Sequence, residues 1–421
     1  MIKTIVKKEI ASNLLSYKFF IVILLMTILL AASIFILYKD FKGRQEDYAL
    51  IRPNPGDPIA VLPPNPLSIF AKGLDEAIGR SFEVDRLGMI DVRAGQKSGN
   101  SIFAFFPTPD FVYIVKVVLS LVALLFGFDQ IAWERENGVL RLMLSNPVSR
   151  AAILAGKWLG NFLSLAVPFL LISLIGFVLL ALDPQIHFGA AGTARFLLIL
   201  AVSLLYAALF LSLGILVSAM ARRAAISLII LLFIWAAAIF VVPNLGTLIA
   251  RQMVEVPSVK ALSEKRQQIW TREILLQEME RRSAGYNRAG DPAARHIDAI
   301  QNEIDQMEND YRLKFNRLVR LSKTINRFSP AACFVYASTA LAGTGIEEES
   351  RLKEAVIRYK DSALKAVVWE TTEKPPAFSY RYRSIGQVLA GGGIVDAAIL
   401  LIVAIVLFGW GFAAFLRYDV R

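Results

Sequence analysis

Six long apolar stretches constrain the fold of this 421-residue chain more than any other feature of its sequence. An α-helix rises about 1.5 Å per residue, so about 20 apolar residues cross the ~30 Å hydrocarbon core of a membrane. The chain is also 56% hydrophobic, more than a soluble domain of this size needs, because the surface of such a domain must stay polar. The sequence therefore predicts an all-α integral membrane protein with six transmembrane helices. The predicted spans are residues 19–38, 111–128, 158–182, 196–219, 226–242 and 388–416.

The N-terminal segment, residues 1–18, has the pattern of a basic amphipathic helix. Apolar residues recur every fourth position and share one face: Ile2, Val6, Ile10 and Leu14. Such a helix directly before a span is typical of a segment that lies in the membrane interface, and a plain solvated start to the first span is the alternative. A signal peptide fits less well, because the first apolar run is too long for one and no clear small-residue cleavage site follows it.

Basic residues place both termini in the cytoplasm, because lysine and arginine concentrate near the cytoplasmic ends of spans. The short loops and the termini carry Lys3, Lys7, Lys8, Lys18, Arg135, Arg141, Arg150, Lys157, Arg222, Arg223, Arg417 and Arg421. The tail 417–421 is then cytoplasmic, and the two long segments, residues 39–110 and 245–385, are extracytoplasmic. Both long segments carry nearly as many acids as bases, and long segments follow the rule poorly.

The two long segments differ in character. Residues 39–110 are rich in proline, which removes backbone donors and predicts an extended, irregular loop. Residues 245–385 are predicted to form a mainly helical domain with an antiparallel coiled-coil hairpin, because apolar residues follow alternating steps of three and four with one interruption at Lys314. This seam contains Ile297, Ile300, Ile304, Met307, Tyr311, Leu318, Leu321 and Ile325. The alternative is two separate helices in an ordinary domain.

The cytoplasmic loop after the second span, residues 129–157, carries the pattern most informative about function. A charge cluster at the membrane boundary is followed by Gly138, which permits a sharp turn. Residues 139–144 then predict a short amphipathic helix with Leu140 and Leu144 on one face and Arg141 on another. Pro147 ends this helix and Ser149 is placed to cap the next one. A short helix lying across the cytoplasmic surface would give a partner a rigid contact, whereas an ordinary polar loop is the alternative.

This loop resembles the signature loop of ABC-2 type transporter permeases, most closely the group associated with multi-copper enzyme maturation. The family pattern is E-x-E-x-G-T-L, then leucines, then P-[VI]-S-R and G-K. The matching residues are Glu134, Glu136, Gly138, Leu140, Pro147, Ser149, Arg150, Gly156 and Lys157. Val139 replaces the threonine that is usual at this position of the family pattern. The change could alter capping of the short helix but hardly affects the resemblance to the family. The C-terminal residues 415–421 also resemble family endings, whereas the resemblance is weak over residues 245–385.

The resemblance implies a dimer of permeases, with a second copy or a paralogue, that binds two ABC ATPase subunits through this coupling helix in a bacterial cytoplasmic membrane. ATP and magnesium would bind the ATPase, and this chain would not be an enzyme. Residues 95–98, Gly-Gln-Lys-Ser, lack the spacing of a phosphate-binding loop. The residues expected to couple to the ATPase are Glu134, Arg135, Glu136, Gly138, Leu140, Arg141, Leu144, Pro147, Arg150 and Lys157.

Three functions remain open at this point. The first is export of a substrate driven by the separate ATPase. The second is force transmission, in which the same ATPase acts through residues 245–385 on an extracytoplasmic protein partner and no substrate moves. The third is a membrane scaffold without an ATPase. Nucleic acid is not an expected partner, because no basic stripe with interleaved aromatics stands apart from the spans.

The sequence offers few ligands for a metal. There is one cysteine, Cys333, and the two histidines, His187 and His296, lie in different segments without carboxylates or cysteines at ligand spacing. Copper handling is therefore suggested by the family group alone, and no metal or cofactor site is expected in this chain.

Two charged residues lie inside predicted spans, where a charge is costly. Lys116 and Asp396 both lie near the outer ends of their spans. We expect them to form a structural ion pair at similar depth, and Lys116 can alternatively extend its ammonium to the outer interface. The small residues Gly156 and Gly160 are spaced for close contact between helices, which is a common and weak signal.

Overall fold

A computed structural model describes most of the chain and is predominantly helical. The described residues are 2–51, 59–75, 81–84, 90–93, 109–145, 148–284, 292–368 and 378–417. They form two compact units. The first unit combines Met1–Phe240 with Ser329–Arg421, and the second unit is Val241–Phe328.

Six helical segments of the described chain are long and apolar enough to cross a membrane, as predicted. Spans 1 to 6 are Tyr17–Leu50, Phe111–Glu136, Arg150–Ala181, Gly189–Met220, Ala224–Met253 and Ile385–Leu416. Five predicted spans lie within these segments, and the third, residues 158–182, ends one residue beyond its segment. The helices extend beyond the predicted windows because hydropathy marks the width of the hydrocarbon, whereas a backbone helix continues into water.

The helices of the first unit begin and end as follows. They are α1 Ile2–Leu14, α2 Tyr17–Ile51, α3 Phe111–Ile114, α4 Ser120–Gly127, α5 Ala132–Glu136, α6 Val139–Ser145, α7 Arg150–Ala181, α8 Gly189–Met220 and α9 Ala224–Ala236. In the second unit lie α10 Val242–Met253, α11 Val259–Ala284 and α12 Pro292–Asn326. The first unit then resumes with α13 Pro330–Ala342, α14 Ile346–Val368, α15 Ile385–Val388 and α16 Ile394–Leu416.

Three spans contain a π-helical turn. These turns are Val115–Leu119 in span 2, Ala237–Val241 in span 5 and Leu389–Gly393 in span 6. The turn in span 6 contains the glycine run, and Gly392 has a φ of 113°, which side chains other than glycine rarely adopt. Such turns interrupt the regular hydrogen bonding of a helix and are frequent at functional sites.

Span 4 is the centre of the first unit. In its most apolar window 67% of the residues are buried, against 17% for span 5 and 22% for spans 1 and 6. Span 2 crosses it at two glycines: a Cβ on Gly127 would lie 2.9 Å from the Cα of Gly214. Small residues at a crossing let two backbones touch, which gives close packing in a membrane where the hydrophobic effect does not draw helices together.

The short apolar helix α13 corrects the predicted domain boundary. The sequence predicts one extracytoplasmic domain over residues 245–385, whereas α13 packs on spans 4 and 6 within the first unit. The ring of Phe334, which is 0% exposed, stacks on Tyr206 of span 4 with centroids 4.6 Å apart. With 13 residues this helix rises only about 20 Å, too little to cross a membrane, so span-finding rules pass over it.

The described parts of the first long segment contain regular secondary structure, where the sequence predicts an irregular loop. Helix α2 continues to Ile51, and a three-stranded antiparallel sheet follows with β1 Ile59–Val61, β2 Ser81–Val84 and β3 Ile90–Arg93. In the register, Ile59 pairs with Glu83 and Ser81 pairs with Arg93. The prolines stand outside these strands, so they remove no donor from the ladder. The all-α prediction is therefore incomplete, and the alternation of apolar and polar residues in β2 and β3 was the signal for strands.

The second unit contains two long antiparallel helices. Ile269 of α11 is buried with Ile300 and Met307 of α12, and Ile304 packs on them. Arg266 pairs with Glu308 at 3.4 Å, and Arg272, later in α11, pairs with Glu303, earlier in α12, so the two helices run antiparallel. The two helices are antiparallel over the first half of the seam, and their assembly as a coiled coil stays a prediction. The side chain of Ile297 and residues 285–291, which join the two helices, lie outside the described residues.

The later part of the seam meets a different helix. A Cβ on Gly246 of α10 would lie 3.1 Å from Ile325, and Thr247 hydrogen-bonds Ser322 at 3.3 Å. Tyr311 stacks on Phe315 with ring centroids 6.0 Å apart. A coiled coil continued through Leu318 and Leu321, and its extracytoplasmic position, stay predictions.

An ion pair between the helix of span 1 and the loop that joins spans 3 and 4 gives a prediction about pH. Asp183 accepts hydrogen bonds from the Tyr38 hydroxyl and from the backbone N–H of Gln185, and its carboxylate lies 3.1 Å from the Lys42 ammonium. These contacts lower the pKa of Asp183 from 3.8 to about 2. Because the folded pKa is depressed, the stabilisation is complete above the unfolded pKa and is lost as the pH falls from about 4 to about 2. We expect wild type to unfold at a higher temperature than Asp183→Asn at pH 7, and the difference to shrink below pH 4. A difference that persists unchanged at pH 2 would contradict this assignment.

Candidate coupling site

Two short helices joined by a tight turn connect the apolar part of span 2 to span 3: α5 is the end of the segment Phe111–Glu136, and α6 follows it. Gly138 stands at this turn with a φ of +73°, the left-handed region that glycine adopts without strain. Helix α6, Val139–Ser145, coincides with the predicted amphipathic helix. Ser149 caps the next helix by accepting from the N–H of Ala152 at 3.3 Å, also as predicted, while Pro147 lies outside the described residues. We call residues 132–145 the coupling segment.

Helix α6 has one buried face and one exposed face. Leu140 is 0% exposed, and Met143 and Leu144 pack partly against the core of the first unit. Arg141 is exposed, and 70% of the surface of Leu142 is accessible. A helix fixed by its apolar face and exposed on the other is suited to contact a partner.

A buried ion cluster connects the coupling segment to two other helices. The Lys157 ammonium lies 2.6 Å from Glu134 Oε1 and 3.1 Å from Glu9 Oε1. These three residues, which we call the charge triad, are 3%, 5% and 6% exposed, respectively. Buried charges are tolerated when they are paired, and removing one partner leaves the others buried without a counter-charge. The triad therefore fixes α5, α7 and α1 to one another.

Glu9 is the triad member that the sequence analysis missed. It lies at the edge of the predicted apolar stripe of α1, next to Ile2 and Val6 on the helix surface, and one turn before Asn13. Asn13 donates to Asn161 at 2.8 Å, one turn beyond Lys157 in α7. Polar pairs four residues apart on both helices thus align with each other, and that shared spacing was the available signal.

Two glycines of α7 allow α1 to pack closely against it. A Cβ on Gly156 would lie 2.7 Å from Ile5 Cγ2, and one on Gly160 would lie 2.6 Å from the Cβ of Glu9. The small-residue spacing in α7 therefore serves contact with the N-terminal helix.

Arg135 connects the coupling segment to the end of span 4. Its guanidinium donates to the carbonyls of Ala219 at 2.9 Å and Ala221 at 3.0 Å. A cation at a helix C-terminus satisfies the last carbonyls and the negative end of the helix dipole. In return, Ser218 Oγ accepts from the backbone N–H groups of Ile131 and Ala132, at 3.0 Å each.

Two further residues contact the ends of the remaining spans. Glu136 accepts from the N–H of Ala224 at 3.3 Å, where a carboxylate suits the positive end of α9. Arg150 donates to the carbonyl of Leu416 at 2.6 Å, at the end of span 6. The predicted coupling residues and their immediate neighbours therefore contact the ends of spans 3 to 6 and helix α1.

The two predicted intramembrane charges lie in different surroundings. Lys116, in the π-helical turn of span 2, places its ammonium 4.8 Å from the ring centroid of Tyr113. Asp396 is 1% exposed near the start of α16. Their mutual pairing stays a prediction.

The fold and this site define a multi-pass membrane protein in which one loop is bonded to the ends of most of its spans. A family model described as "ABC-2 family transporter protein" matches residues 3–420. The chain therefore belongs to the ABC-2 family of transporter proteins.

Two curated relatives carry a more specific name. The chain is 38% identical over 115 residues to the "Probable ABC transporter permease protein NosY" of Pseudomonas aeruginosa, a match that covers 25% of this chain and 38% of that protein. It is 43% identical over 54 residues to the protein of the same name from Stutzerimonas stutzeri, covering 13% of this chain and 20% of that protein. The chain therefore matches well under half the length of either relative.

Proposed function

We propose that this chain exports a substrate with energy from ATP hydrolysed on a separate ATPase subunit, which docks on the coupling segment. The observation that carries the proposal is the set of bonds from this segment, Lys157 and Arg150 to α1 and to the ends of spans 3 to 6. A force applied to such a segment moves several helices together, whereas a loosely attached loop would absorb it.

Helix α6 supplies the contact in this proposal. Its buried Leu140 holds it on the bundle, while Arg141 and Leu142 face outward. The exposed guanidinium suits an acidic groove on the partner, because arginine forms paired hydrogen bonds with carboxylates.

The charge triad supplies the stiffness. Separating Lys157 from Glu134 within the low-dielectric interior costs several kcal/mol, on the order of the penalty for an unpaired buried ion. Movement of α5 is therefore expected to carry α7 and α1 with it, so that the start of span 3 follows the partner.

The family membership and the basic short loops support the remaining parts of the proposal. The protein lies in a bacterial cytoplasmic membrane, with both termini and the coupling segment on the cytoplasmic side, where ATP is available. Spans 1, 5 and 6 bury little of their apolar surface within the chain, which leaves faces for lipid and for a second permease copy or a paralogue.

Force transmission is the second candidate function, and one observation favours it. The second unit is a separate compact body with two long antiparallel helices, and it begins within span 5, where α10 follows the π-helical turn. A pair of long helices that follows a span along the chain is suited to act on an extracytoplasmic protein without moving a substrate. ATP-dependent flux in vesicles supports export, and an ATP-dependent change confined to the second unit supports this alternative.

The docking proposal predicts a selective effect of Arg141→Ala. The purified wild-type chain is expected to retain an ATPase subunit, and the variant is expected to retain about tenfold less, the loss typical of a charged contact in an interface. Arg282→Ala in the second unit is the matched control, because that side chain is equally suited to truncation and is 79% exposed. Equal ATPase retention in all three preparations would contradict docking on α6, and the absence of any ATPase would favour a scaffold.

A further inference from the structure

A cavity of about 790 Å³ lies beside the charge triad, between α1 and the ends of spans 1, 2 and 5. Glu9, Glu134 and Lys157 line its polar part, and Val22, Phe126 and Leu228 line its apolar part. A volume of this size accommodates a small molecule or the headgroup of a lipid.

One atom in the polar part lacks a partner. Glu134 is 5% exposed, and its Oε1 accepts from Lys157 at 2.6 Å. No donor among the described residues reaches its other oxygen, Oε2. A buried carboxylate oxygen without a hydrogen bond is costly, so this atom favours a ligand that brings an N–H or O–H donor, above all a cationic one.

The rim of the cavity has the opposite character. The side chains of Lys8 and Lys18 are 59% and 66% exposed, respectively. Lys18 also pairs with Asp129 at 2.9 Å, so the rim keeps a partly compensated positive charge. A ligand that fits both parts has a cation directed inward and an anionic group nearer the opening.

The apolar wall continues into the membrane-spanning helices. Val22 belongs to span 1, Phe126 to span 2 and Leu228 to span 5, and the neighbouring lining residue Ile21 is 66% exposed on the outside of the bundle. A ligand seated in the polar part can therefore lay hydrocarbon along these side chains without entering water.

We propose that this cavity binds the headgroup of a bilayer phospholipid with a primary amine, of the phosphatidylethanolamine class. Its ammonium donates to Glu134 Oε2, its phosphate lies near Lys8 and Lys18, and its acyl chains follow Ile21 and Val22. A choline headgroup carries no N–H to donate, and a glycerol headgroup offers an O–H donor but no cation to pair with the Glu134 carboxylate. In this proposal the lipid binds beside the charge triad, and its binding does not depend on which substrate the permease moves.

The test compares lipids that differ only in the headgroup. The purified chain in detergent is exposed to phosphatidylethanolamine, phosphatidylcholine or phosphatidylglycerol with the same acyl chains, and bound lipid is counted by native mass spectrometry. We expect about tenfold tighter retention of the primary amine lipid than of its choline analogue, the effect typical of a hydrogen bond to a charged group. Equal retention of the two, or preference for phosphatidylglycerol, overturns the proposal.

Variants locate the site. Glu134→Gln places an amide donor where the ammonium would donate, so the headgroup preference is expected to disappear. Glu136→Gln is the matched control, because it changes the same chemistry in the same helix but does not line the cavity. Val22→Trp fills the apolar part and is expected to reduce retention of every lipid, which tests the site should Glu134→Gln fail to fold. A wild-type preference that survives both Glu134→Gln and Val22→Trp assigns the lipid to another surface and overturns the proposal.

Discussion

Replacing Lys157 with methionine is expected to destabilise the first unit by about 3–5 kcal/mol, the usual cost of removing one partner from a buried ion cluster. Methionine has a similar length and packs well, so the loss is mainly electrostatic. Glu9 and Glu134 would remain buried without their shared cation. The measurement is thermal unfolding of the detergent-solubilised protein, followed by loss of its monodisperse peak on size-exclusion chromatography.

Lys8→Met is the matched control for this prediction. Lys8 lies 3.9 Å from Glu9, but its side chain is 59% exposed, so its pair is screened by water. The same substitution there is expected to change stability by less than about 1 kcal/mol. Equal losses of stability for Lys8→Met and Lys157→Met would show that the buried triad stabilises the protein no more than an exposed ion pair does.

A combined variant separates stability from coupling. Glu9→Gln, Glu134→Gln and Lys157→Met together remove all three charges, and the combination is expected to be more stable than Lys157→Met alone. If the triad transmits force, this combined variant folds, retains the ATPase through α6, and yet fails to couple ATP hydrolysis to flux. Full coupling in a folded combined variant would contradict the proposed role of the triad.

Much of the membrane architecture could be predicted from the sequence because hydropathy reports it directly. A run of about 20 uncharged residues has few stable alternatives to a membrane helix, since every buried backbone group must be hydrogen-bonded. Helix α6 was also predictable, because its glycine turn and its apolar spacing are local features.

The features that sequence reasoning missed depend on distant contacts. Helix α13 is too short to register as a span and is buried only because Tyr206 and the neighbouring spans cover it. The partner of Lys157 was identifiable in Glu134, which lies in the same loop, but Glu9 stands about 150 positions away along the chain. Pairings of this kind are set by how the helices pack, which no local pattern records.

A second buried ion cluster lies at the other end of span 4. It too is formed by residues distant in sequence, so no local motif predicts it. Glu348 of α14 accepts from Arg383 Nε at 2.8 Å and from the Tyr380 hydroxyl at 2.8 Å. Arg195 of α8 donates to the carbonyl of Leu341 at 3.3 Å and also bonds the backbone carbonyl of Arg383. This cluster joins spans 4 and 6 through α13 and α14.

Glu348→Ala is therefore the second substitution with a large expected effect. Glu348 is 3% exposed and Arg383 is 9% exposed, so the variant leaves a buried guanidinium without its carboxylate. We expect a loss of about 3–5 kcal/mol by the same thermal assay. Glu349→Ala is the neighbouring control, because that carboxylate pairs with the half-exposed Lys353 one turn away and contributes about 0.5 kcal/mol or less.

The pKa of the Tyr380 hydroxyl gives a second measurement, independent of stability, that tests the role of Glu348. Burial, and then the hydrogen bond to Glu348, raise the pKa of the Tyr380 hydroxyl. Removing the carboxylate is expected to lower that pKa, so ionisation of Tyr380, isolated by subtracting the alkaline ultraviolet titration of Tyr380→Phe, should begin at a lower pH in Glu348→Ala. A variant that unfolds early with an unchanged phenol titration would point to a cavity left by the missing side chain rather than to the lost charge. A variant that is stable and titrates as wild type would show that Glu348 does not hold spans 4 and 6 together.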